Sequence, residues 1–403
     1  MISRLVIEQV IKSQKERLAS INTGLLRKVS GYERLSSHAF ILCGIRRCGK
    51  STVLQQIHES QKTESIYLNF EDPRLAGFDI SDMNRLHDIG KEKKVKAYYF
   101  DEVQLVDQWE KFARFRLDEG YRIFITGSNA TMLSTELGSK LTGRHISKEL
   151  FPFSYTEFLA FTKRKAGKSS MMKYLEGGGF PEYIKTNLPD VLMQTFNDII
   201  ARDIAIRYNI KNSTVLRQLA VWLVTNAGKP ASGNSLRKTF GIKSASTIME
   251  YLSYFADAYL FFFVPKFSYS NKVQIVNPRK VYCIDNGFIR ANSVSFSDDY
   301  GRLLENLVFI ELRRKHKEIF YFNEGKECDF AIAEKGKITS LYQVCWQLDE
   351  DNTDREVNGL LEAMEFFGIK TARIITADQQ DSFHVAGKNI LVEPFHKHFS
   401  HEA

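Results

Sequence analysis

The stretch Gly44-Ile45-Arg46-Arg47-Cys48-Gly49-Lys50-Ser51-Thr52 constrains this chain more than any other. It follows the apolar run Ala39-Phe40-Ile41-Leu42-Cys43, so the local order reads strand, glycine-bearing loop, helix. The spacing G-x-x-x-x-G-K-[ST] is that of a phosphate-binding loop, in which successive backbone N–H groups and the positive end of the following helix face an anion. On this reading the loop binds a nucleotide, Lys50 reaches the β- and γ-phosphates, and Ser51 gives its hydroxyl to Mg²⁺.

About fifty residues on, Ala97-Tyr98-Tyr99-Phe100-Asp101-Glu102 describes a buried strand that delivers two carboxylates at its C-terminal end, where open α/β sheets bind ligands. Asp101 is the candidate Mg²⁺ ligand, direct or through water. Glu102 is the candidate base that polarises the attacking water. A third strand, Arg122-Ile123-Phe124-Ile125-Thr126-Gly127, ends in Ser128-Asn129. Either polar residue could orient that water or sense the γ-phosphate, and Asn129 is preferred; the competing reading is a turn and helix cap.

A chain of 403 residues allows two to four domains. Lys and Arg exceed Asp and Glu by eight, which permits an anionic partner such as nucleic acid without demanding one. The five cysteines, at 43, 48, 283, 328 and 345, show no C-x-x-C spacing, which argues for a reducing compartment and against structural zinc. The N-terminus lacks the apolar core of a signal peptide, and the longest apolar run, residues 258 to 264, is far too short to span a membrane. The expectation is a cytoplasmic protein without a membrane partner.

In order, residues 1 to about 37 read as a basic, solvated helix packing on the core, with Val6, Val10 and Ile11 at helical spacing. The strand Ser65-Ile66-Tyr67-Leu68-Asn69-Phe70 ends in Glu71-Asp72-Pro73-Arg74, read as a turn. Strands and helices then alternate, as in a parallel sheet covered on both faces. Arg144, in Leu141-Thr142-Gly143-Arg144, is the candidate arginine for a γ-phosphate, its own or that of a neighbouring subunit in a homo-oligomer. The bland alternative is a surface ion pair.

These motifs, together with Phe151-Pro152-Phe153-Ser154-Tyr155, resemble a widespread prokaryotic group of AAA-superfamily ATPases with an Arg-Arg pair in the phosphate loop. Members also carry a C-terminal domain of unknown function related to restriction endonucleases. Gly177-Gly178-Gly179-Phe180-Pro181-Glu182 and Asp198-Ile199-Ile200-Ala201-Arg202-Asp203-Ile204 are similar to that group's linker region. The resemblance implies an α/β protein: an AAA-type P-loop NTPase core with a parallel sheet over residues 1–155 and a helical lid over 156–212.

Residues 213–276 contain three helical stretches and two aromatic or apolar strands, 260–264 and 272–276, a pattern that suits a winged helix. Its third helix, opening at Lys243, Ser244, Ser246 and Thr247, would face DNA. That helix carries few basic residues, so protein contact or a purely structural role is equally compatible. Residues 277–403 resemble the restriction-endonuclease fold. Glu305 and Asp329 match its acidic positions and Gln343 falls where Glu or Gln is expected. Cys345 stands where the fold's lysine belongs, and a thiol cannot supply that cation. Without another lysine such as Lys326 or Lys337 in its place, the expectation is a degenerate nuclease site with slow or absent cleavage. The tail histidines 384, 396, 398 and 401 lack metal-ligand spacing and read as solvated.

The leading functional reading is a Mg²⁺-dependent ATPase that moves its C-terminal domains, with DNA as a candidate substrate. An ATP-gated DNA- or protein-binding switch with slow hydrolysis is the alternative, and an ATP-dependent nuclease the third.

Overall fold

The computed structural model describes residues 1–400 other than 34, 36, 62, 131–139, 142 and 295–298. Thr142 and His401 therefore lie outside the described residues. The chain forms two compact units, Met1–Leu150 and Phe151–Ala403.

The first unit is built on five strands: β1 (Ala39–Cys43), β2 (Ser65–Asn69), β3 (Ala97–Asp101), β4 (Arg122–Gly127) and β5 (His145–Glu149). All pair in parallel, in the order β2-β3-β4-β1-β5. Every residue of β1 and β3 is buried, as continuous apolar runs in a parallel sheet require. The aromatic residues that make these runs conspicuous pack across neighbouring strands, with Tyr99 stacked on Phe124 at 4.5 Å between ring centres. The helix Lys50–Ser60 lies against β1, β3 and β4. Helix Ile80–Glu92 starts in a capping box formed by Asp79 and Asp82, and packs beside helix Trp109–Asp118. The expected N-terminal helix is Arg4–Ser20; it buries Ile7, Val10, Ile11 and also Gln14, and contacts β2.

The second unit opens with helices Tyr155–Thr162, Lys168–Gly177, Pro181–Thr186 and Pro189–Asp198, the last continued by a π-helical stretch, Ile199–Ile206. These helices, expected as a lid on the nucleotide core, belong to the compact unit that contains the C-terminal domain. Buried polar contacts account for this. Glu311 accepts from Tyr155 N at 3.0 Å, Arg314 donates to Pro152 O at 2.8 Å, and Asp285 accepts from Gly179 N at 2.7 Å. The glycine run in the linker follows from the same contact: a Cβ on Gly178, whose φ is +73°, would stand 1.8 Å from Asp285 Oδ1, and one on Gly179 would stand 2.2 Å from Phe153 O.

Next come helix Ser213–Thr225, β6 (Pro230–Ala231), helices Gly233–Thr239 and Ala245–Asp257, β7 (Phe261–Pro265), helix Asn271–Val276 and β8 (Arg279–Cys283), with the antiparallel sheet order β6-β8-β7. The strand expected at 272–276 is therefore a helix, and the partner of β7 is β8. Burial decides between the two apolar runs. Val281, Tyr282 and Cys283 are fully buried, whereas Ile275 and Val276 are 64 % and 73 % exposed.

The chain ends in helix Tyr300–Lys315, β9 (Glu318–Asn323), β10 (Glu327–Glu334), β11 (Lys337–Val344), helix Thr353–Phe367, β12 (Thr371–Thr376), β13 (Asp381–Val385), β14 (Lys388–Pro394) and a short helix Phe395–His398. The sheet order is β13-β14-β12-β11-β10-β9, antiparallel through β9, β10 and β11 and parallel from β11 to β12 to β14. Just beyond β7, Phe267 N donates to Tyr321 O of β9 at 2.7 Å, and the Phe267 ring packs on Phe320, Phe366 and Phe367. The two sheets of this unit are thus joined along β9.

Candidate functional site

Strand β1 lies between β4 and β5, and the loop that leaves its C-terminal end is residues 44 to 49. Its conformation needs glycine at both ends. Gly44 has φ +156° and a Cβ there would stand 2.1 Å from Leu150 O, while Gly49 has φ +101° and opens the helix Lys50–Ser60. Arg47 is itself left-handed, at φ +63°. Cys48 is buried and its thiol points at Leu150 O, 3.3 Å away. Lys50 folds back across the loop, with Nζ 3.1 Å from Ile45 O and 3.6 Å from Glu102 Oε1, and is 4 % exposed. Such a lysine has a cation ready inside the loop, held by partners that a phosphate can replace.

Asp101 and Glu102 end β3 one strand beyond β4. Asp101 is fully buried. Its Oδ2 accepts from Tyr67 Oη at 2.8 Å and Asn69 Nδ2 at 2.9 Å, its Oδ1 accepts from Thr126 Oγ1, and Ser51 also donates to it. Burial and the neighbouring Glu102 push its carboxyl above the ordinary value in spite of those bonds. The Ser51 hydroxyl and the Asp101 carboxylate are adjacent hard oxygen donors, a pair that suits Mg²⁺. The residues present fit the group.

Glu102 sits in the left-handed region, φ 54° and ψ 45°, a position that costs a non-glycine residue on the order of 1 kcal/mol. The turn is held by Thr126, whose Oγ1 accepts from Glu102 N at 3.0 Å. Burial pushes the Glu102 carboxyl up, but Lys50 and the bonds from Gln104 and Ser128 outweigh it and hold the carboxyl below its ordinary value. It is a carboxylate at neutral pH, able to accept a proton from water.

Ser128, the first polar residue after β4, bonds the Glu102 carboxylate. Asn129, the preferred candidate from the sequence, is buried at the same edge of the sheet, one residue further on. Arg144 lies elsewhere. It precedes β5, its carbonyl accepts from Ala39 N at the start of β1, and its side chain pairs with Asp118. The five residues of β1 separate it from the loop, roughly 16 Å at ~3.3 Å per residue. Parallel pairing of β5 with β1 thus places Arg144 at the N-terminal end of the strands, away from the loop.

Two supports have no signature in the sequence. Arg27 is 8 % exposed and its Nη1 donates to Cys48 O at 2.9 Å, bracing the loop from outside. Gln14 of the N-terminal helix exchanges hydrogen bonds with the Asn69 backbone, at 2.8 and 3.1 Å. That helix forms one wall of a cavity of about 580 Å³, lined among others by Arg17, Ser51, Thr52, Asn69 and Asp101. Glu71 and Asp72 also reach this cavity. Asp72 caps the turn Pro73–Leu75 as expected, and Glu71 pairs with Arg46 of the loop at 3.3 Å.

In the second unit the three expected positions do come together. Glu305 projects from helix Tyr300–Lys315, Asp329 from β10 and Gln343 from β11. The cation among them is Lys280 of β8, not Lys326 or Lys337. Its Nζ lies 3.1 Å from Glu305 Oε1, 2.8 Å from Asp329 Oδ1 and 2.7 Å from Glu327 Oε1. Burial alone would lower the Lys280 pKa, but these carboxylates raise it well above its ordinary value. Burial and Asp329 push Glu305 up to about 7. Cys345 is a buried neutral thiol, pushed up to about 11, and donates to Gln347 O at 3.1 Å. Of the tail histidines, His398 pairs with Glu393 at 2.6 Å. Among the described residues, no three His, Cys, Asp or Glu side chains are arranged to hold a metal ion.

Residues 36–159 match the family model of an AAA domain, and residues 168–298 match that of a domain of unknown function, DUF8612. With the parallel sheet and the loop geometry, the first match makes the N-terminal unit an AAA-type, P-loop ATPase-like fold. The chain is 36 % identical over 389 residues to the uncharacterized protein MJ1544 of Methanocaldococcus jannaschii, covering 89 % of this chain and 87 % of that protein. An uncharacterized Haemophilus influenzae protein is 30 % identical, covering 78 % of this chain and 84 % of the relative. Among solved structures, the Thermotoga maritima RuvB Holliday junction branch migration motor aligns with 64 % of this chain and 87 % of that one, at 15 % identity and a TM-score of 0.31. A score at that level carries no argument about this chain. No described helix is long and apolar enough to cross a membrane.

Proposed function

We propose that this chain, which belongs to the same family as the uncharacterized Methanocaldococcus jannaschii protein MJ1544, is a Mg²⁺-dependent ATPase whose nucleotide state drives its C-terminal domains. The observation that carries the reading is the meeting of Lys50, Ser51, Asp101 and Glu102 at the C-terminal ends of β1 and β3, with Lys50 3.6 Å from Glu102. Loop amides and Lys50 hold the phosphates. Ser51 and Asp101 would hold Mg²⁺, which when bound neutralises charge on the phosphoryl oxygens. Glu102 takes a proton from the attacking water, with Ser128 fixing its carboxylate and Asn129 a neighbour at the same edge. When Lys50 turns from Ile45 O and Glu102 to the phosphates, Glu102 loses its ion-pair partner and becomes a stronger base. Arg144 is left with the role of an arginine offered to a neighbouring subunit's nucleotide, which makes a homo-oligomer part of the proposal.

DNA is the proposed substrate class for the C-terminal part. The order helix, β6, two helices, β7, a short helix and β8, with the sheet order β6-β8-β7, supports a winged-helix-like domain that begins at residue 213 and is closed by β8 rather than by the expected strand at 272–276. Helix, three strands, helix and strand β12 likewise support an endonuclease-like domain from residue 300. A specific observation favours the protein-binding form of the second reading, a nucleotide-gated binding switch. The segment following β7 is docked on β9 through Phe267, which leaves less of a free wing to grip a duplex. Steady-state ATP hydrolysis with and without double-stranded DNA, beside the Glu102→Gln variant, tests both. A rate raised by DNA and abolished by the variant supports the coupled ATPase. A DNA-independent rate that still needs Glu102 shifts the partner to a protein. Hydrolysis unchanged in Glu102→Gln removes the assigned base.

A further inference from the structure

The carboxylates of the second unit surround a lysine that arrives from a different sheet. An ammonium group has three N–H donors, and Lys280 has three carboxylate acceptors within 3.1 Å: Glu305, Glu327 and Asp329. No donor is left over. The carboxylates are similarly committed. Asp329 Oδ1 accepts from Lys280 and its Oδ2 from Val344 N at 3.0 Å, and Glu305 Oε1 accepts from both Lys280 and Tyr282 Oη, the latter at 2.7 Å. Gln343 accepts from Asp329 N at 3.1 Å and donates to Glu356 at 2.6 Å. Lys280 is 2 % exposed, and its backbone sits mid-sheet, opposite Pro230 of β6 and Val264 of β7. The strand fixes its backbone, and the three carboxylates hold its ammonium.

We propose that Lys280 is the resident cation of this pocket. Its ammonium stands where a divalent ion would bind, and the pocket is an ion lock that joins β8 of the three-stranded sheet to β10 and helix Tyr300–Lys315 of the six-stranded one. The physical reason is charge balance. A buried Asp329, with Glu305 and Glu327 partly buried beside it, needs a cation, and a lysine carried on β8 supplies it. Cys345, where a nuclease needs its lysine, is then free to be apolar core. The lock stands independently of the nucleotide site, and the consequence is a C-terminal domain that holds or reads its partner and does not cut it.

The test is a titration of the full chain with Tb³⁺ in the absence of nucleotide, reading tyrosine-sensitised luminescence from Tyr282, with Mn²⁺ competition. Wild-type protein is expected to show no signal that Asp329→Asn removes. Lys280→Met is expected to gain a saturable one, at least tenfold tighter than any wild-type binding, that is lost again in Lys280→Met/Asp329→Asn. Lys280→Arg, which keeps a cation, gains none. An Asp329-dependent signal in the wild type overturns the proposal, as does Mg²⁺- or Mn²⁺-dependent DNA cleavage abolished by Asp329→Asn. A folded Lys280→Met that binds no metal also overturns it. If Lys280→Met fails to fold while Lys280→Arg folds, the lock is supported through the penalty of leaving its carboxylates buried and unpaired.

Discussion

Thr126 shows how a single side chain can link binding to chemistry. Its hydroxyl donates to Asp101 and accepts from the backbone of Glu102, holding the latter in a left-handed turn that costs energy. Thr126→Val keeps the shape and removes both bonds. It should lower kcat by about tenfold or more with a small change in nucleotide affinity, because misplacing a base by an ångström costs on the order of a hundredfold; stopped-flow nucleotide binding beside steady-state turnover separates the two. Lys50→Ala is expected to lose both. Asp285 makes a prediction about pH. Burial raises its carboxyl from 3.8 to about 7, although Gly179 N and Gly287 N both donate to it. The unfolded chain releases this proton near pH 4, while the folded chain keeps it to about pH 7. Stability from this group is therefore full below about pH 4 and lost as the pH rises to 7. Three pKa units correspond to on the order of 4 kcal/mol. Asp285→Asn should flatten the dependence of Tm between pH 4 and 7, at the cost of one backbone bond; an unaltered slope would remove Asp285 as its source. Neither Thr126 nor Asp285 stands out in the sequence, because each acts on a residue distant along the chain.

At the scale of elements, the N-terminal helix is more than a solvated lead-in. Gln14 satisfies both backbone groups of Asn69, whose side chain donates to Asp101. Gln14→Leu leaves those buried groups unpaired and should cost about 1–3 kcal/mol, read as a lower denaturant midpoint, together with weaker Mg²⁺ dependence of nucleotide binding. An unchanged midpoint would show that water takes over both bonds. The glycine run of the linker is another element whose purpose depends on its partner. Gly178→Ala places a methyl into the Asp285 carboxylate and strains a φ of +73°, so a loss of several kcal/mol or failure to fold is expected, measured by thermal denaturation. The apolar segment at 272–276 reads as a strand by residue type alone, yet it is a helix with exposed Ile275 and Val276. Hydrogen bonding of β7 to β8 settled the matter, and pairing is a property of two segments.

For the whole molecule, the ATPase reading predicts that DNA, if it is the partner, acts through charge as well as shape. Binding that weakens steeply with salt and depends on ATP supports a nucleotide-gated DNA contact; binding indifferent to both would exclude it. Much of the first unit was legible from local pattern. The phosphate loop, the acid pair after an apolar strand and the alternation of strand and helix are short-range signals, because each requires particular residues at fixed spacing within one turn or strand. The three helical stretches within 213–257 were legible for the same reason. Tertiary structure alone decided three matters. Parallel pairing of β5 with β1 put Arg144 at the N-terminal end of the strands, away from the loop. The turn at Glu102 brought Ser128 to its carboxylate. A lysine almost fifty residues before Asp329 became the cation beside it. Sequence spacing specifies what lies along one element, where backbone geometry fixes the distances. Which side chains meet between elements follows from strand order and packing, and those are set only when the chain closes on itself.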